Sequence, residues 1–355
     1  MARRRLLLSS TPAPGRLSFL EARAVQPRTL VAYRKDYEEL ERFAGAHSLP
    51  LGTPSEVAEA ALQRINEAFL EGIHSSYGSK LLAAIRALRP DVASAGPSLL
   101  SRAVRAAAGF RKLAPGRSRL PLPWEVVAMI CNRMVLNGQC DGARAVAVAF
   151  AGYLRPCDLL SLRVRQLIAP VLLHGGLAHW AIVLYPQQQE QRSKVGECDE
   201  SILFDADGFK FLDRIFEDWV RTRHPDSPLL AMTHGQWGQA WRAACSQLRL
   251  DALGVPVLYQ LRHGGAAHDI LHGVRSTAAV KKRGRWGSDR SLNRYERAGR
   301  VAEQLHQLSK AMQQHAFECA GNIGGILSGT CPALPAPGGR RSSSSASAAR
   351  GSQRR

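Results

Sequence analysis

A break in helical periodicity divides this chain and limits how it can fold. The segment from Leu113 to Pro123 is rich in Pro, Gly, Arg and Ser, a composition typical of a linker between domains. A single hydrophobic core usually stops growing at roughly 250–300 residues, so a chain of 355 residues is expected to form two domains. The sequence therefore predicts one domain on each side of this linker.

The part before the linker predicts a small helical bundle. Apolar residues recur at helical spacing in four successive stretches, which begin near Thr29, Ser55, Ser75 and Ser98. Four such helices bury their apolar faces by packing against one another as a bundle. We assign residues 25–112 to this domain, and residues 1–24 to a basic arm that is expected to be disordered.

The part after the linker, residues 124–318, predicts a mostly helical domain with a few strands. Helical patterns occupy its beginning and its second half, up to a final amphipathic helix from Val301 to Ala316. Between them lie a glycine pair typical of a hairpin, Gly175–Gly176, and β-prone stretches at 167–173, 180–185 and 201–204. We therefore expect a mainly α fold with a small antiparallel β-sheet, followed by a disordered Ser- and Arg-rich tail over residues 329–355.

An excess of basic residues points to a polyanionic partner. The chain contains 48 Lys and Arg against 29 Asp and Glu, which gives a formal net charge of +19. The two ends hold part of this excess, but the middle of the chain stays basic without them. Nucleic acid is the partner that fits best. A basic membrane-surface protein is a distant alternative, because no amphipathic stretch sets a Lys and Arg face against Trp and Phe.

The lengths of the apolar runs and the spacing of the cysteines give no sign of a membrane span or of a cysteine metal site. The longest apolar run, Ala145–Leu154, has ten residues, and a membrane span needs about 20, so no membrane association is expected. The seven cysteines form no C-x-x-C pair, which favours free thiols in an intracellular compartment, nuclear if the host is eukaryotic. His268 and His272 lie one helical turn apart without an evident third ligand, so no bound metal is expected.

Residues 255–300 carry the features that point most clearly to chemistry. Arg262–His263 is followed by small residues, which allow another backbone to pack closely and thereby fix the arginine. A Gly-Arg-Trp-Gly turn follows at Gly284–Gly287, and Tyr295 lies among arginines. A basic helix face would explain the charge of this region but not these three features together.

These residues resemble the second half of the catalytic domain of the tyrosine recombinase, or phage integrase, family. The family's pattern is H-x-x-R-H, then a His or Trp, then a nucleophilic Tyr about nine positions later, and Trp286 and Tyr295 are nine positions apart. Arg155, with Asp158 three positions later and leucines after it, resembles the family's first arginine motif. Lys194 lies where the family places a lysine on a β-hairpin turn. The helical part before the linker resembles the family's core-binding domain, so the resemblance covers about residues 25–310.

The resemblance implies an enzyme that cleaves and rejoins DNA strands through a 3′-phosphotyrosyl intermediate on Tyr295. Arg155 and Arg262 would bind the non-bridging phosphate oxygens, because a guanidinium forks onto two oxygens with fixed geometry. Lys194 would give a proton to the leaving 5′-oxygen. Trp286 would offer its indole N–H to a phosphate oxygen.

One position departs from the family's pattern. Tyr259 stands three residues before Arg262, where the family usually has a histidine. A phenol donates a hydrogen bond but is a poor proton shuttle at neutral pH. His263 is expected to brace the site rather than replace that histidine, because one step along a helix turns a side chain by about 100°. Two alternatives follow: a catalytically inactive DNA-binding derivative of a mobile element, and a DNA-relaxing enzyme of the type IB topoisomerase kind.

The resemblance also implies the partners. The two domains would form a C-shaped clamp around double-stranded DNA, and the protein would act as a homo-tetramer on two DNA sites without a cofactor. The final helix either packs on its own domain or is exchanged between protomers. The basic residues that we expect to contact DNA are Arg28, Arg34, Lys35, Lys281, Lys282, Arg283, Arg285 and Arg294.

Overall fold

The computed structural model describes residues 24–116, 120–171, 178–186, 200–254, 256–288, 292 and 298–337. The chain divides into two compact units, residues 1–118 and 119–355. The described residues are mainly α-helical and include a three-stranded antiparallel sheet, which confirms the expected fold class. None of the helices within these ranges is long and apolar enough to cross a membrane.

The first unit is a helical bundle. Its described helices are α1 (Pro27–Ala46), α2 (Pro54–Leu70), α3 (Tyr77–Leu88), α4 (Pro90–Ser94) and α5 (Ser101–Leu113). A capping box starts α2, because Thr53 and Glu56 each accept the other's backbone N–H through their side chains. Pro90 ends α3 as expected, but it also begins the short α4, where its missing N–H costs no hydrogen bond. The bundle core includes Leu40, Ile65, Leu81, Ile85 and Phe110.

The second unit contains most of the buried apolar surface. Its described helices are α6 (Trp124–Leu136), α7 (Cys140–Ala151), α8 (Pro156–Ser161), α9 (Leu212–Thr222), α10 (His234–Gln247), α11 (Gln260–Leu271), α12 (Thr277–Gly284), α13 (Ala298–His306) and α14 (Lys310–Ser328). Every residue from 145 to 150 on α7 is buried, so this helix lies in the centre of the unit. α6 packs against α7 and α14, and α11 packs against α7.

A small sheet lies between α8 and α9 in the chain. It consists of β1 (Leu167–Ile168), β2 (Ala181–Leu184) and β3 (Glu200–Leu203), antiparallel and in the order β1-β2-β3. Leu167 lies opposite Ile182, which lies opposite Ile202, so apolar side chains share the face that joins the core. The strands fall where the sequence predicted them, although β1 is shorter. The glycine pair Gly175–Gly176 lies outside the described residues.

The end of the second unit differs from the single final helix that the sequence predicted. Two helices, α13 and α14, are separated at Ser309, whose side chain accepts the N–H of Met312 and caps α14. α14 continues to Ser328 and packs against α6 of its own chain. Beyond it, Leu334 exchanges two backbone hydrogen bonds of 2.7 and 2.8 Å with the side chain of Asn132. The first residues of the predicted disordered tail are therefore bound to α6.

Candidate functional site

Arg262 is held almost completely inside the second unit, with 1% of its surface exposed. One Nη donates to the carbonyl of Tyr153 at 2.7 Å, and the other donates to the carbonyl of Gly284. The guanidinium lies 4.7 Å from the centre of the Trp286 ring. Its Nε is buried and has no hydrogen-bond partner among the described residues, as is true of the Nε atoms of Arg283 and Arg285. Since a guanidinium has five N–H donors and the two carbonyls use two of them, Arg262 keeps further donor capacity.

Two glycines explain why Arg262 is held so firmly. A Cβ on Gly264 would lie 2.7 Å from the carbonyl oxygen of Leu122. A Cβ on Gly265 would overlap the carbonyl oxygen of Phe150, which belongs to α7. α11 therefore meets neighbouring backbone directly at these positions. This confirms the close packing expected from the small residues that follow Arg262.

Arg155 lies at the start of α8, close to Arg262. It is the N-cap residue of that helix, followed by Pro156 in the first position. Its guanidinium lies 3.5 Å from the carboxylate of Asp158, and 26% of its side chain is exposed, compared with 3% for Asp158. Because the carbonyl of Tyr153 binds Arg262, the backbone just before Arg155 is joined directly to the second arginine.

Positive charge is concentrated around Asp158. Burial, together with the nearby charges of Arg155 and Arg285, lowers the pKa of Arg262 to about 10. Burial acts to raise the pKa of Asp158, but a hydrogen bond from Tyr185 and the charges of Arg285 and Arg155 outweigh it and lower that pKa. A bound anion would relieve the repulsion among the three guanidiniums.

The two arginines on either side of Gly284 bind other groups of the protein through their guanidiniums. Arg283 donates to the carbonyls of Leu203 (2.6 Å) and Ala151 (2.8 Å). Arg285 forms ion pairs with Asp158 (2.8 Å) and with Glu200 (3.1 Å). The sequence predicted DNA contacts for both, and in this structure both guanidiniums bind protein groups, as that of Arg262 does. Both arginines are less exposed than Lys282 of the same helix.

The aromatic residues of the site occupy different environments. Gly284 leaves the space in which the Trp286 ring lies, since a Cβ there would overlap that ring. Tyr259 immediately precedes α11 and is 44% exposed. Its ring packs edge to face on His263, with the ring centres 5.0 Å apart. An exposed phenol beside the arginine cluster can donate a hydrogen bond to a ligand.

Several residues of this region were not singled out by the sequence. The hydroxyl of Tyr185 donates to Asp158, and the hydroxyl of Tyr153 donates to the buried Asp269, which also accepts from Arg275. Burial acts to raise the pKa of Asp269, but hydrogen bonds from His268 and Tyr153 and the charge of Arg275 lower it overall. No motif marks these residues, because their partners come from distant parts of the chain.

The structure brings four of the six predicted catalytic residues together: Arg155, Tyr259, Arg262 and Trp286. Three predicted residues lie outside the described part of the chain: Lys194, Arg294 and Tyr295. On α12, Lys282 is exposed and Lys281 is partly exposed. In the first unit, α1 carries three exposed residues that the sequence predicts to contact DNA: Arg28, Arg34 and Lys35.

The histidine pair on α11 has other partners. The rings of His268 and His272 lie 4.5 Å apart, but Nδ1 of His268 lies 3.3 Å from the carboxylate of Asp269. Among the residues that the structure describes, no group of three His, Cys, Asp or Glu side chains is arranged to hold a metal ion.

Comparison with known proteins gives distant structural similarities. No family model matches this chain, and no curated protein matches it. The chain is similar to a protein of known structure described as a lambda integrase dimer bound to a COC′ core site, with 14% sequence identity and a TM-score of 0.48. The similarity covers 78% of this chain and 73% of that chain.

Proposed function

We propose that this protein is a site-specific DNA recombinase of the tyrosine recombinase type, which cleaves and rejoins strands through a 3′-phosphotyrosyl bond on Tyr295. One observation carries the proposal: Arg155, whose side chain is 26% exposed, lies close to the buried Arg262, and the guanidinium of Arg262 lies over the ring of Trp286. Paired guanidiniums suit the oxygens of a phosphodiester.

The proposed chemistry assigns each residue one step. The hydroxyl of Tyr295 attacks phosphorus, the bond to the 5′-oxygen breaks, and Lys194 gives that oxygen a proton. Arg155 and Arg262 bind the two non-bridging oxygens, whose negative charge increases in the transition state. The phosphotyrosyl ester keeps the energy of the broken bond, so the free 5′-hydroxyl can attack it and restore the DNA without ATP. As the resemblance implies, the active form would be a homo-tetramer on two DNA sites.

Tyr259 supports a second candidate function. Tyr259 stands at the sequence position of the family's usual histidine, and its exposed phenol packs on His263. A phenol can bind a phosphate oxygen but moves protons poorly at neutral pH. The second candidate is therefore a protein that binds DNA through the same cluster without cleaving it.

Covalent capture separates the two candidates. The protein is incubated with nicked DNA duplexes of random sequence, and the products are resolved on a denaturing gel. The nick prevents the cleaved end from being rejoined, so that a covalent complex accumulates. The wild type and Tyr33→Phe, a control on α1, are expected to give a covalent protein–DNA band, and Tyr295→Phe is expected to give none. If the wild type binds DNA but forms no band, the recombinase proposal is wrong and the binding protein is favoured. Tyr259→His is then the variant expected to restore the band.

We further propose that the first unit contributes to DNA binding, and its charges allow a separate prediction. α5 carries four exposed basic residues and no acid, whereas α1 carries four acidic residues beside its four basic ones. Arg105 and Lys112 lie two helical turns apart on one face of α5. Replacing both by glutamine is expected to reduce the slope of log affinity against log salt by about two, since each phosphate contact contributes about 0.9.

The double variant Arg34→Gln and Lys35→Gln on α1 is the comparison for this prediction, because the sequence predicts DNA contacts for these two residues as well. Its slope is expected to change less, because acidic neighbours already offset part of the positive charge on that helix. The measurement is the Kd for a duplex of arbitrary sequence at four or more salt concentrations. Equal slopes for the wild type and the α5 variant would show that α5 does not contact phosphates.

A further inference from the structure

Arg285 has a backbone conformation that suits glycine. Its φ of 55° and ψ of 45° lie in the left-handed region, which a side chain with a Cβ disfavours. It ends α12, and its N–H is bonded to the carbonyls of Lys281 and Lys282. Since glycine would satisfy this helix end with less strain, the arginine side chain is expected to have a role of its own.

The side chain of Arg285 joins two separate elements. Its guanidinium binds Asp158, in the first turn of α8, and Glu200, the first residue of β3. The side chains of Arg285 and Asp158 are 10% and 3% exposed, so the pair is largely removed from water. A hydrogen-bonded ion pair in such surroundings holds a defined geometry, and loss of either partner leaves a buried charge.

Arg285 and Arg155 compete for the same oxygen. Asp158 Oδ2 lies 2.8 Å from Arg285 Nη and 3.5 Å from Arg155 Nη, which is too long for a normal hydrogen bond. The other oxygen of Asp158 accepts from the hydroxyl of Tyr185. The carboxylate is therefore occupied by Arg285 and Tyr185, and among the described residues Arg155 donates no hydrogen bond to it or to any other group.

We infer that Arg285 is a positioning residue that holds the carboxylate of Asp158 and thereby leaves Arg155 available for a phosphate oxygen. The availability of Arg155 for phosphate rests on the proposed function. Without Arg285, Arg155 is the nearest cation to Asp158, at i, i+3 spacing on the same helix start, and it would close onto that carboxylate. Arg155 would then be withdrawn from the site. Arg285 thus acts on the reaction through Asp158 and touches no DNA.

The experiment uses Arg285→Gly, which removes the guanidinium and keeps a residue that fits the backbone. In single-turnover cleavage of a nicked duplex at saturating protein, this variant is expected to be about tenfold slower than wild type. Adding Asp158→Asn is expected to bring the rate back to within about threefold, because a neutral amide does not draw Arg155 away. A purely structural role predicts that the second change slows the reaction further, and that result would overturn the inference.

The salt dependence of DNA binding gives a second readout. Arg285→Gly is expected to leave the slope of log affinity against log salt unchanged, because both Nη atoms of Arg285 are paired with the carboxylates of Glu200 and Asp158. Lys282→Gln, at the exposed end of the same helix, is expected to lower that slope by about one, as a phosphate contact would. A fall of about one for Arg285→Gly would show that Arg285 binds phosphate, and the inference would be wrong.

A third measurement separates this inference from the proposed function. If the wild type forms no covalent complex, the proposed function has failed, and thermal unfolding still tests the pairing of Arg285 with Asp158. Arg285→Gly is expected to lower the Tm, because Asp158 is left buried with its charge uncompensated. Adding Asp158→Asn is expected to recover part of that loss. If the two changes lower the Tm additively, Arg285 does not hold Asp158.

Discussion

Replacing Arg262 by lysine is expected to slow covalent capture of DNA by about 10²–10³-fold, the effect of removing one oxyanion donor from an active site. The guanidinium must satisfy the carbonyls of Tyr153 and Gly284 and still offer a donor to phosphate. A lysine ammonium keeps the charge but has no planar fork and cannot serve three acceptors in these directions. The measurement is single-turnover formation of the covalent complex, corrected for the folded fraction.

Arg283→Lys is the matched control for this prediction. Like Arg262, Arg283 donates to two backbone carbonyls and its guanidinium lies over aromatic rings, those of Tyr153 and Phe204, but it is not one of the two arginines proposed to bind phosphate. The control is expected to lose stability as Arg262→Lys does, and to lose much less activity per folded molecule. If both variants lose activity in proportion to their stability, Arg262 serves only to pack the second unit.

Gly265→Ala is expected to destabilise the second unit by about 3 kcal/mol or more, at or above the upper end of what overpacking usually costs. The added methyl would overlap the carbonyl oxygen of Phe150, which is backbone of the central helix α7 and has no room to move. Displacement of α11 would also separate Arg262 from the carbonyl of Tyr153. The variant is therefore expected to lose covalent capture of DNA as well as stability. The measurement is urea unfolding followed by tryptophan fluorescence, because Trp219, Trp237 and Trp241 are buried in this unit.

Gly321→Ala in α14 is the control for this steric argument. A Cβ there meets nothing within 4 Å, so the change is expected to be neutral or to stabilise the helix by up to about 1 kcal/mol. If the free energy of unfolding of Gly265→Ala lay within about 1 kcal/mol of the wild-type value, the close contact between α11 and α7 would not be essential for stability.

The helical architecture could be predicted because its signals are local. The spacing of apolar residues, the prolines near helix starts and the β-prone stretches all act within a few residues, and they led to the mainly α fold with a small antiparallel sheet. The glycine pair after Arg262 is a local signal of the same kind, since small residues mark close backbone approach. In the last part of the second unit, the helix cap at Ser309 was not recognised from the sequence, and two helices were therefore predicted as one.

The partners of each charged residue were decided only by the tertiary structure. Arg283, Arg285 and Lys282 lie within four positions and carry the same charge, and the sequence predicted the same DNA contact for all three. The structure separates them, because Asp158 and Glu200, which bind Arg285, lie 127 and 85 positions away. Periodicity is set by neighbours along the chain, whereas burial and ion pairing depend on which distant segments the folded core brings together.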